Sequence, residues 1–454
     1  MKANKGRRRR LRSPKRVCVI GIWHLGAVNA VGFAEKGYQV VGVEFDKKKA
    51  ARLQSGEPPL FEPGLESLMS QHLKRGTLRF DADPEAVASS DYVVIAYDSP
   101  VNDQDEVEIT PVVEAAVAIA PYLRLNTPVI ITSQLPLGTC EAIQGRITAL
   151  NPAWKNGVVY TPENLRLGAA IPRFLTPDML VLGANRPSAL RSALALYRPF
   201  PTEKVPMDLR SAEMVKHALN TFLATSITFI NEMAALADRL GADAVAVGRA
   251  LKLDKRIGAK ALMMPGLGFS GGTLARDVIQ LRKFAKQHRV KADLLDAILD
   301  VNQRTFDEIV IKLRKTLGKL AGKRIGILGL TYKAGTSTVR RSPAIKLISM
   351  LRKAKAVCIG YDPKADRREM EQYQHLFERA KTARDLVKNA DGLVLVTEWP
   401  EFKDLPYQAL AGLMKVPVMI DSKNYLDPDV LSRAGFNYQG FGRQGSSRTI
   451  DKVR

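Results

Sequence analysis

Cysteine is scarce: only Cys18, Cys140 and Cys358 occur in a chain of 454 residues. They are far apart and sit in or beside apolar stretches. This spacing excludes a disulfide framework or a thiolate metal cluster and points to a reducing compartment, the cytoplasm. Five histidines without HxH or HExxH spacing supply no transition-metal site. No apolar run approaches the roughly 20 residues that a membrane-spanning helix requires. Acid is missing from the start of the chain, where residues 1–16 hold nine Lys or Arg, so the net charge of +23 falls to +14 over the rest. No apolar segment follows these arginines, so residues 1–15 do not read as a secretory signal. They read either as a contact for nucleic acid or, more ordinarily, as a solvated basic extension.

What is present is the 46% hydrophobic and 25% charged composition of a soluble folded protein, long enough for two or three domains of about 100–200 residues. Residues 16–20 (RVCVI) predict a buried parallel strand. A helix over about 25–36 and a second strand over 40–44 complete a βαβ unit. Further strands are expected at 92–96, 129–132 and 158–160. From residue 211 a helical pattern runs to 240 without proline or glycine. More helix follows to 258, then a glycine-rich loop and another helical stretch to about 317. The βαβ pattern restarts at 324, with strands at 357–361, 392–397 and 416–420. The fold class is therefore α/β, with two Rossmann-like doubly wound domains joined by a long central helix and a helical domain. The divisions fall at 1–15, 16–204, 205–318, 319–443 and a tail at 444–454.

The turn after the first strand, residues 21–26 (GIWHLG), resembles the dinucleotide fingerprint GxGxxG with its middle glycine replaced by Trp23. Gly21 still permits the tight turn and Gly26 the close packing of helix on strand. Glu44 closes the second strand, where an acid bonds a ribose diol and favours NAD over NADP. Two readings stay open: a modified dinucleotide seat, or a Rossmann domain without a dinucleotide whose vacated space Trp23 fills. The loop 266–277 (GLGFSGGTLARD) can wrap a sugar or phosphate with backbone groups, or be a flexible connection. Lys216 and Asn220, four residues apart on the long helix, share a face and are either a reacting pair or an exposed one. Lys333, Arg340 and Arg341 follow a strand's carboxyl end, the ligand edge of an open α/β sheet. Asp362 ends the next strand, as ribose-contacting acids do.

Together these segments resemble the UDP-glucose/GDP-mannose dehydrogenase family over nearly the whole chain. The resemblance also rests on 62–65 (EPGL), 133–139 (SQLPLGT), 162–168 (PENLRLG), 211–220 (SAEMVKHALN), 255–258 (KRIG), 397–402 (TEWPEF) and 440–443 (GFGR). It implies an NAD-binding domain, a central dimerisation domain and a UDP-binding domain, in a homodimer or higher homo-oligomer. It implies oxidation of a nucleotide sugar, a UDP-sugar foremost, at its C6 alcohol with NAD as cofactor. By position, Glu163, Lys216, Asn220 and Asp277 match polar groups of the reaction site. Gly21, Trp23, Gly26, Glu44, Ser99 and Arg340 fall at cofactor positions. Arg256, Gly268, Phe269 and Lys333 fall at substrate positions, Arg256 reaching across the dimer.

Four departures stand at chemical positions: Trp23 for a glycine, Gln134 for a threonine, Leu167 for a glutamate, and Thr273 for the nucleophilic cysteine. A threonine hydroxyl is hardly ionised near neutral pH, so Thr273 offers no thiolate equivalent. The expectation is an NAD-dependent oxidoreductase with altered or partial chemistry; the competing one is a non-catalytic, regulatory sugar-nucleotide-binding homologue.

Overall fold

A computed structural model describes residues 14–98, 107–162, 165, 168–270 and 273–443. Both tails, and with them the nucleic-acid reading of residues 1–15, lie essentially outside these residues. By packing, the chain divides into two compact units, Met1–Lys216 and His217–Arg454.

The first unit is built on strands β1 (Arg16–Ile20), β2 (Gln39–Val43), β3 (Leu78–Asp81), β4 (Tyr92–Ile95), β5 (Val129–Ile131), β6 (Val158–Tyr160), β7 (Leu180–Gly183) and β8 (Lys204–Met207). They lie in the order β3-β2-β1-β4-β5-β6-β7-β8. All neighbours are parallel except β6 and β7. The 3-2-1-4-5-6 core is the doubly wound order of dinucleotide-binding sheets. Helices cover both faces, so the central strands are apolar throughout: four of the five residues in RVCVI are buried. Val17 is in register with Val40 on one side and Tyr92 on the other. The first helix, His24–Glu35, has every residue from Leu25 to Ala34 buried. A helix apolar on all sides is one packed on all sides, and here the sheet and two neighbouring helices enclose it.

The second unit carries β9 (Arg324–Leu328), β10 (Val357–Tyr361), β11 (Glu378–Arg379), β12 (Gly392–Leu395), β13 (Val418–Asp421) and β14 (Asn437–Gln439). Their order, β11-β10-β9-β12-β13-β14, repeats the doubly wound pattern and is parallel throughout. Helices Ala244–Leu253, Leu274–Gln287 and Asp293–Leu317 belong to this unit. Leu267 N–H donates to the Ser422 carbonyl at 2.6 Å, and Ala244 N–H to that of Gly442 at 2.8 Å. Phe306, Ile309 and Leu313 join the core beneath β9. The helical centre from His217 onward is thus packed continuously with the second sheet.

The long helix is Leu209–Leu240, 32 residues, and at about 1.5 Å per residue it is roughly 48 Å long. Strands β3, β7, β8, β11 and β14 were not expected. LRFD and NYQ are half polar, and KVPM carries a proline, which an edge strand tolerates because one side of it needs no donor. The stretch expected as one helix to 317 breaks at residues 288–292, where Arg289 adopts a positive φ of 56°.

Gly26 and Gly145 separate the two uses of helical glycine. A Cβ on Gly26 would stand 1.9 Å from the Gly21 carbonyl oxygen, whereas one on Gly145 would meet nothing within 4 Å. Gly26→Ala is therefore expected to destabilise by roughly 1–3 kcal/mol or more, and Gly145→Ala to stabilise by up to about 1 kcal/mol. Thermal melts of the two variants check the opposite signs.

Candidate active site

In an open parallel sheet, ligands meet the carboxyl ends of the strands where the order reverses. In the first unit that point lies between β1 and β4. Gly21 turns the chain there at a φ of +86°, and a Cβ would lie 2.7 Å from the Tyr97 ring. The Glu44 carboxylate, half-buried after β2, accepts the N–H groups of Ile22 and Asp46, each at 3.3 Å. It stands where a ribose diol would be met. Trp23 is 53% exposed. It does not fill the space left by the missing glycine, which corrects that part of the non-binding reading.

The start of the first helix carries a feature that the sequence did not reveal. Asp98, just after β4, accepts the Leu25 N–H at 3.1 Å. Burial raises its carboxyl above the ordinary range, opposed by backbone N–H donors and by His24. His24 Nε2 is itself 3.1 Å from Glu62, a buried acid that also accepts the N–H groups of Gly168 and Ala170. The signal available in the sequence was the acid in YDSP directly after a strand. The neighbouring Ser99 lies outside the described residues, as does Glu163.

These residues fit the adenosine half of NAD: a tight turn, a close helix and a ribose-facing acid. At the helix start, where a diphosphate would take backbone N–H groups, the protein's own carboxylate already holds one of them.

In the second unit, Asp277 lies in the first turn of Leu274–Gln287 and is completely buried. Its Oδ1 is 2.8 Å from His217 Nδ1, and its Oδ2 accepts from Asn220 Nδ2. The carboxylate therefore ties this helix to the long one. Asn220 is buried and bonded, so the exposed-pair reading fails for it; Lys216, one turn earlier on the same helix, is half-buried. His217 was not anticipated, although it sits inside the SAEMVKHALN segment. Thr273 caps the helix start, exposed, and its hydroxyl makes no capping bond.

Within the glycine-rich loop, Asn302 grips Phe269 by both backbone groups at 2.8 Å. A Cβ on Gly268 would lie 2.1 Å from the Asn302 Oδ1, so the grip requires glycine there. The Phe269 ring packs with Ala224, Val278 and Ile298. Gly268 and Phe269 shape the loop, and the ring is core. Arg256 is exposed and paired through two nitrogens with Asp254, at 3.0 and 2.7 Å.

At the carboxyl end of β9, Lys333 and Arg340 are exposed. Asp362 is not a ribose contact. Its Oδ2 accepts from Leu330 N–H, Thr331 N–H, the Thr331 hydroxyl and Trp399 Nε1, and its Oδ1 from Lys364 and Ala365 N–H. Both oxygens are committed to holding the turn. What this sheet offers at its switch point is a basic loop.

One sheet with the turn and acid of a dinucleotide seat, and a second with a basic loop at its switch point, define a class: a dinucleotide-linked oxidoreductase of the two-Rossmann type. The chain belongs to the UDP-glucose/GDP-mannose dehydrogenase family, whose members are NAD-dependent nucleotide-sugar dehydrogenases. The family's NAD binding domain matches residues 15–201, its central domain 210–304 and its UDP binding domain 326–428. Among curated relatives, a UDP-glucose 6-dehydrogenase of Rhizobium meliloti (strain 1021) is 37% identical, covering 94% of this chain and 99% of the relative. UDP-glucose 6-dehydrogenase TuaD of Bacillus subtilis (strain 168) is 34% identical, covering 94% and 93%. The solved UDP-glucose dehydrogenase of Pyrobaculum islandicum superposes with a TM-score of 0.84 at 31% identity, over 95% of this chain and 99% of that one. A UDP-D-ManNAc dehydrogenase of Pyrococcus horikoshii gives 0.81 at 26%, over 95% and 100%.

Asp98 makes a measurable difference to cofactor affinity. Asp98→Asn keeps an acceptor for Leu25 but removes the charge facing an incoming diphosphate. NAD binding by calorimetry is expected to tighten roughly tenfold, about 1.4 kcal/mol. Unchanged or weaker binding would show that the carboxylate does not compete for the helix start.

Proposed function

We propose that this protein oxidises a CH–OH group of a nucleotide sugar, a UDP-sugar foremost, without a thiolate step, and so stops short of the full four-electron oxidation. The observation that carries the reading is the Asp277–His217–Asn220 cluster beside Thr273, in a chain whose three thiols are all unsuited to replace the missing cysteine. Cys18, Cys140 and Cys358 are buried. Burial pushes each thiol up, Cys358 to about 12, and Glu213 adds to the rise at Cys140. A nucleophilic cysteine needs the opposite environment, exposed and electropositive.

Bound NAD supplies the hydride acceptor. The chain supplies the rest. Glu44 meets the adenosine ribose of the cofactor and Arg340 another part of it, and Lys333 meets the anionic nucleotide of the substrate. Glu163 receives the hydroxyl proton, Lys216 faces the oxygen that gains negative charge as that proton leaves, and Asn220 holds that hydroxyl in line. Arg256 takes a remaining polar position of the family's site. One oxidation yields an aldehyde. A second needs either a covalent adduct, which Thr273 does not readily form, or oxidation of the hydrated aldehyde. If a ring CH–OH is oxidised instead, the product is a ketone, and return of the hydride to its opposite face would make the reaction an epimerisation.

The regulatory reading has one observation in its favour, Asp98 at the helix start. It predicts that UDP-sugars raise the melting temperature while NAD does not.

Chemistry is tested by mixing the protein with NAD and a panel of UDP- and GDP-sugars, reading NADH and product mass together. The expected yield is nearer one NADH per sugar than two. Two would show that the thiol-free site completes the carboxylate, and no NADH with any sugar would favour the regulatory protein. Thr273→Cys is expected to remain below two, because Leu167 and Gln134 also differ.

A homodimer is part of the proposal. Phe222, Phe229 and Leu236 recur every seven residues on the long helix, exposed by 70%, 44% and 46%. A spacing of seven keeps apolar groups on one helical face, as a helix–helix seam requires. Light scattering of the wild type should give at least twice the chain mass, and Phe222→Glu with Phe229→Glu should reduce it to one.

A further inference from the structure

Among the buried titratable side chains to which the proposed reaction gives no role is His217, beside its site. His217 has no exposed surface, and neither has Asp277, to which its Nδ1 is bonded. The imidazole also packs edge-on against the Phe284 ring, at 6.3 Å between centroids. We propose that His217 is a positioning residue for the reaction: acting through Asp277, it fixes which end of the Asn220 carboxamide meets the substrate. This rests on the reading of Asn220 as a group of the reaction site.

A carboxylate only accepts, so in both bonds to Asp277 the proton comes from the other side. His217 must carry its proton on Nδ1, which fixes the tautomer. Asn220 must offer Nδ2. Turning that amide over would set its oxygen against the carboxylate, oxygen facing oxygen, so the orientation is locked. With one Nδ2 hydrogen held by Asp277, the amide is oriented so that its Oδ1 lies away from the carboxylate and is its acceptor for a ligand. Asn220 then accepts the hydrogen bond of the hydroxyl to be oxidised, and stabilisation of the negative oxygen falls to the Lys216 ammonium. The assignment divides the roles of two neighbours that the sequence alone could not tell apart.

His217 completes the lock because a buried carboxylate needs donors on both oxygens. Arg276 Nε stands 3.9 Å from the same Oδ1, too far for a hydrogen bond, so removal of the imidazole takes away the close donor on that oxygen and loosens the hold on the carboxylate. The Asn220 amide loses its fixed partner as a result. The loss appears in the rate and not in substrate affinity, since His217 touches no ligand.

His217→Leu removes the donor while filling comparable volume. With the nucleotide sugar that turns over best, kcat is expected to fall about 100-fold, the scale of a small misplacement at a reacting centre, while KM stays within about twofold. His217→Asn places an amide nitrogen near the Nδ1 position and should recover kcat to within about tenfold of wild type. His217→Gln, whose nitrogen matches Nε2 instead, should not. A leucine variant with kcat within about threefold of wild type overturns the proposal, as do asparagine and glutamine variants of equal activity. The second comparison decides the matter if the leucine variant fails to fold. In wild-type protein labelled with 15N-histidine, a slowly exchanging Nδ1–H signal that Asp277→Asn abolishes is also expected; its absence removes the bond on which everything here depends. Asn220→Ala with unchanged turnover, or no turnover by the wild type, sinks the reading of the site itself. Wild-type turnover that survives His217→Leu sinks only the role of the histidine.

Discussion

A parallel sheet ends its strands side by side, and the loops leaving them carry backbone N–H groups that the ladder does not use. Buried donors of this kind need acceptors. In this protein they find them in enclosed carboxylates. Glu213 takes Gly138 and Cys140 at the start of the Thr139–Leu150 helix. Asp421 takes Lys423, Tyr425 and Leu426 together with the Tyr438 hydroxyl. Glu62 and Asp362 do the same for their loops. Replacing any of these acids by an apolar side chain would leave two or more donors unpaired, at about 1–3 kcal/mol each. The loops that form both ligand edges are therefore held from within by acids.

The same device governs the chemistry. An acid close after a strand can be a ligand group or a fastening, and the difference lies in how many donors already reach it. Asp362 has six and is a fastening. Glu44 has one long bond on each oxygen and remains half-open, which suits a diol. Asp98 is intermediate: it fastens the start of the first helix by accepting backbone N–H groups, in a place that a diphosphate would claim. Asp277 fastens two helices, and through that bond it sets the direction of Asn220. Its importance to the reaction is then indirect, which agrees with a carboxylate that has no exposed surface.

The pattern of strands that are covered on both faces is legible in sequence, because burial on both sides makes a strand apolar throughout. β1, β5 and β6 are of this kind, as is β12, and the long helix announces itself by periodicity and the absence of glycine and proline. Strands at edges or with one wet face were not legible, and neither was the short inner strand β7, buried though all four of its residues are: LRFD carries its information in the pairing of β3 with β2, which is a contact between distant residues. In the site, the glycines, Glu44 and the basic loop were readable because each has one local reason to be where it is. His217 and Asp98 were not. A histidine on an apolar helical face is usually core, and only the partner 60 residues away gives it a different meaning. Asp362 misled for the converse reason, since its position fits a ribose contact while its partners, up to 37 residues distant, absorb every lone pair.

The missing thiolate constrains what the preserved scaffold can do. Covalent capture of an aldehyde divides a difficult second oxidation into two easier steps, and its loss is not offset by a nearby base. Thr273 is exposed at the helix start, yet His217 points its Nδ1 at the Asp277 carboxylate and is fully buried. On the proposed reading, Asn220 holds a hydroxyl and Lys216 stabilises an oxyanion, two of the requirements of one hydride transfer, while the buried His217 is not placed to activate the threonine. The His217–Asp277–Asn220 lock ties two helices together whatever the site does, but binding a sugar nucleotide does not in addition require a carboxamide to face one particular way. A persistent, buried, three-member polar chain is costly to maintain unless each member is satisfied. Here both oxygens of its central carboxylate have donors, and on the proposed reading the Asn220 Oδ1 that it orients is the acceptor for the hydroxyl of a single oxidation.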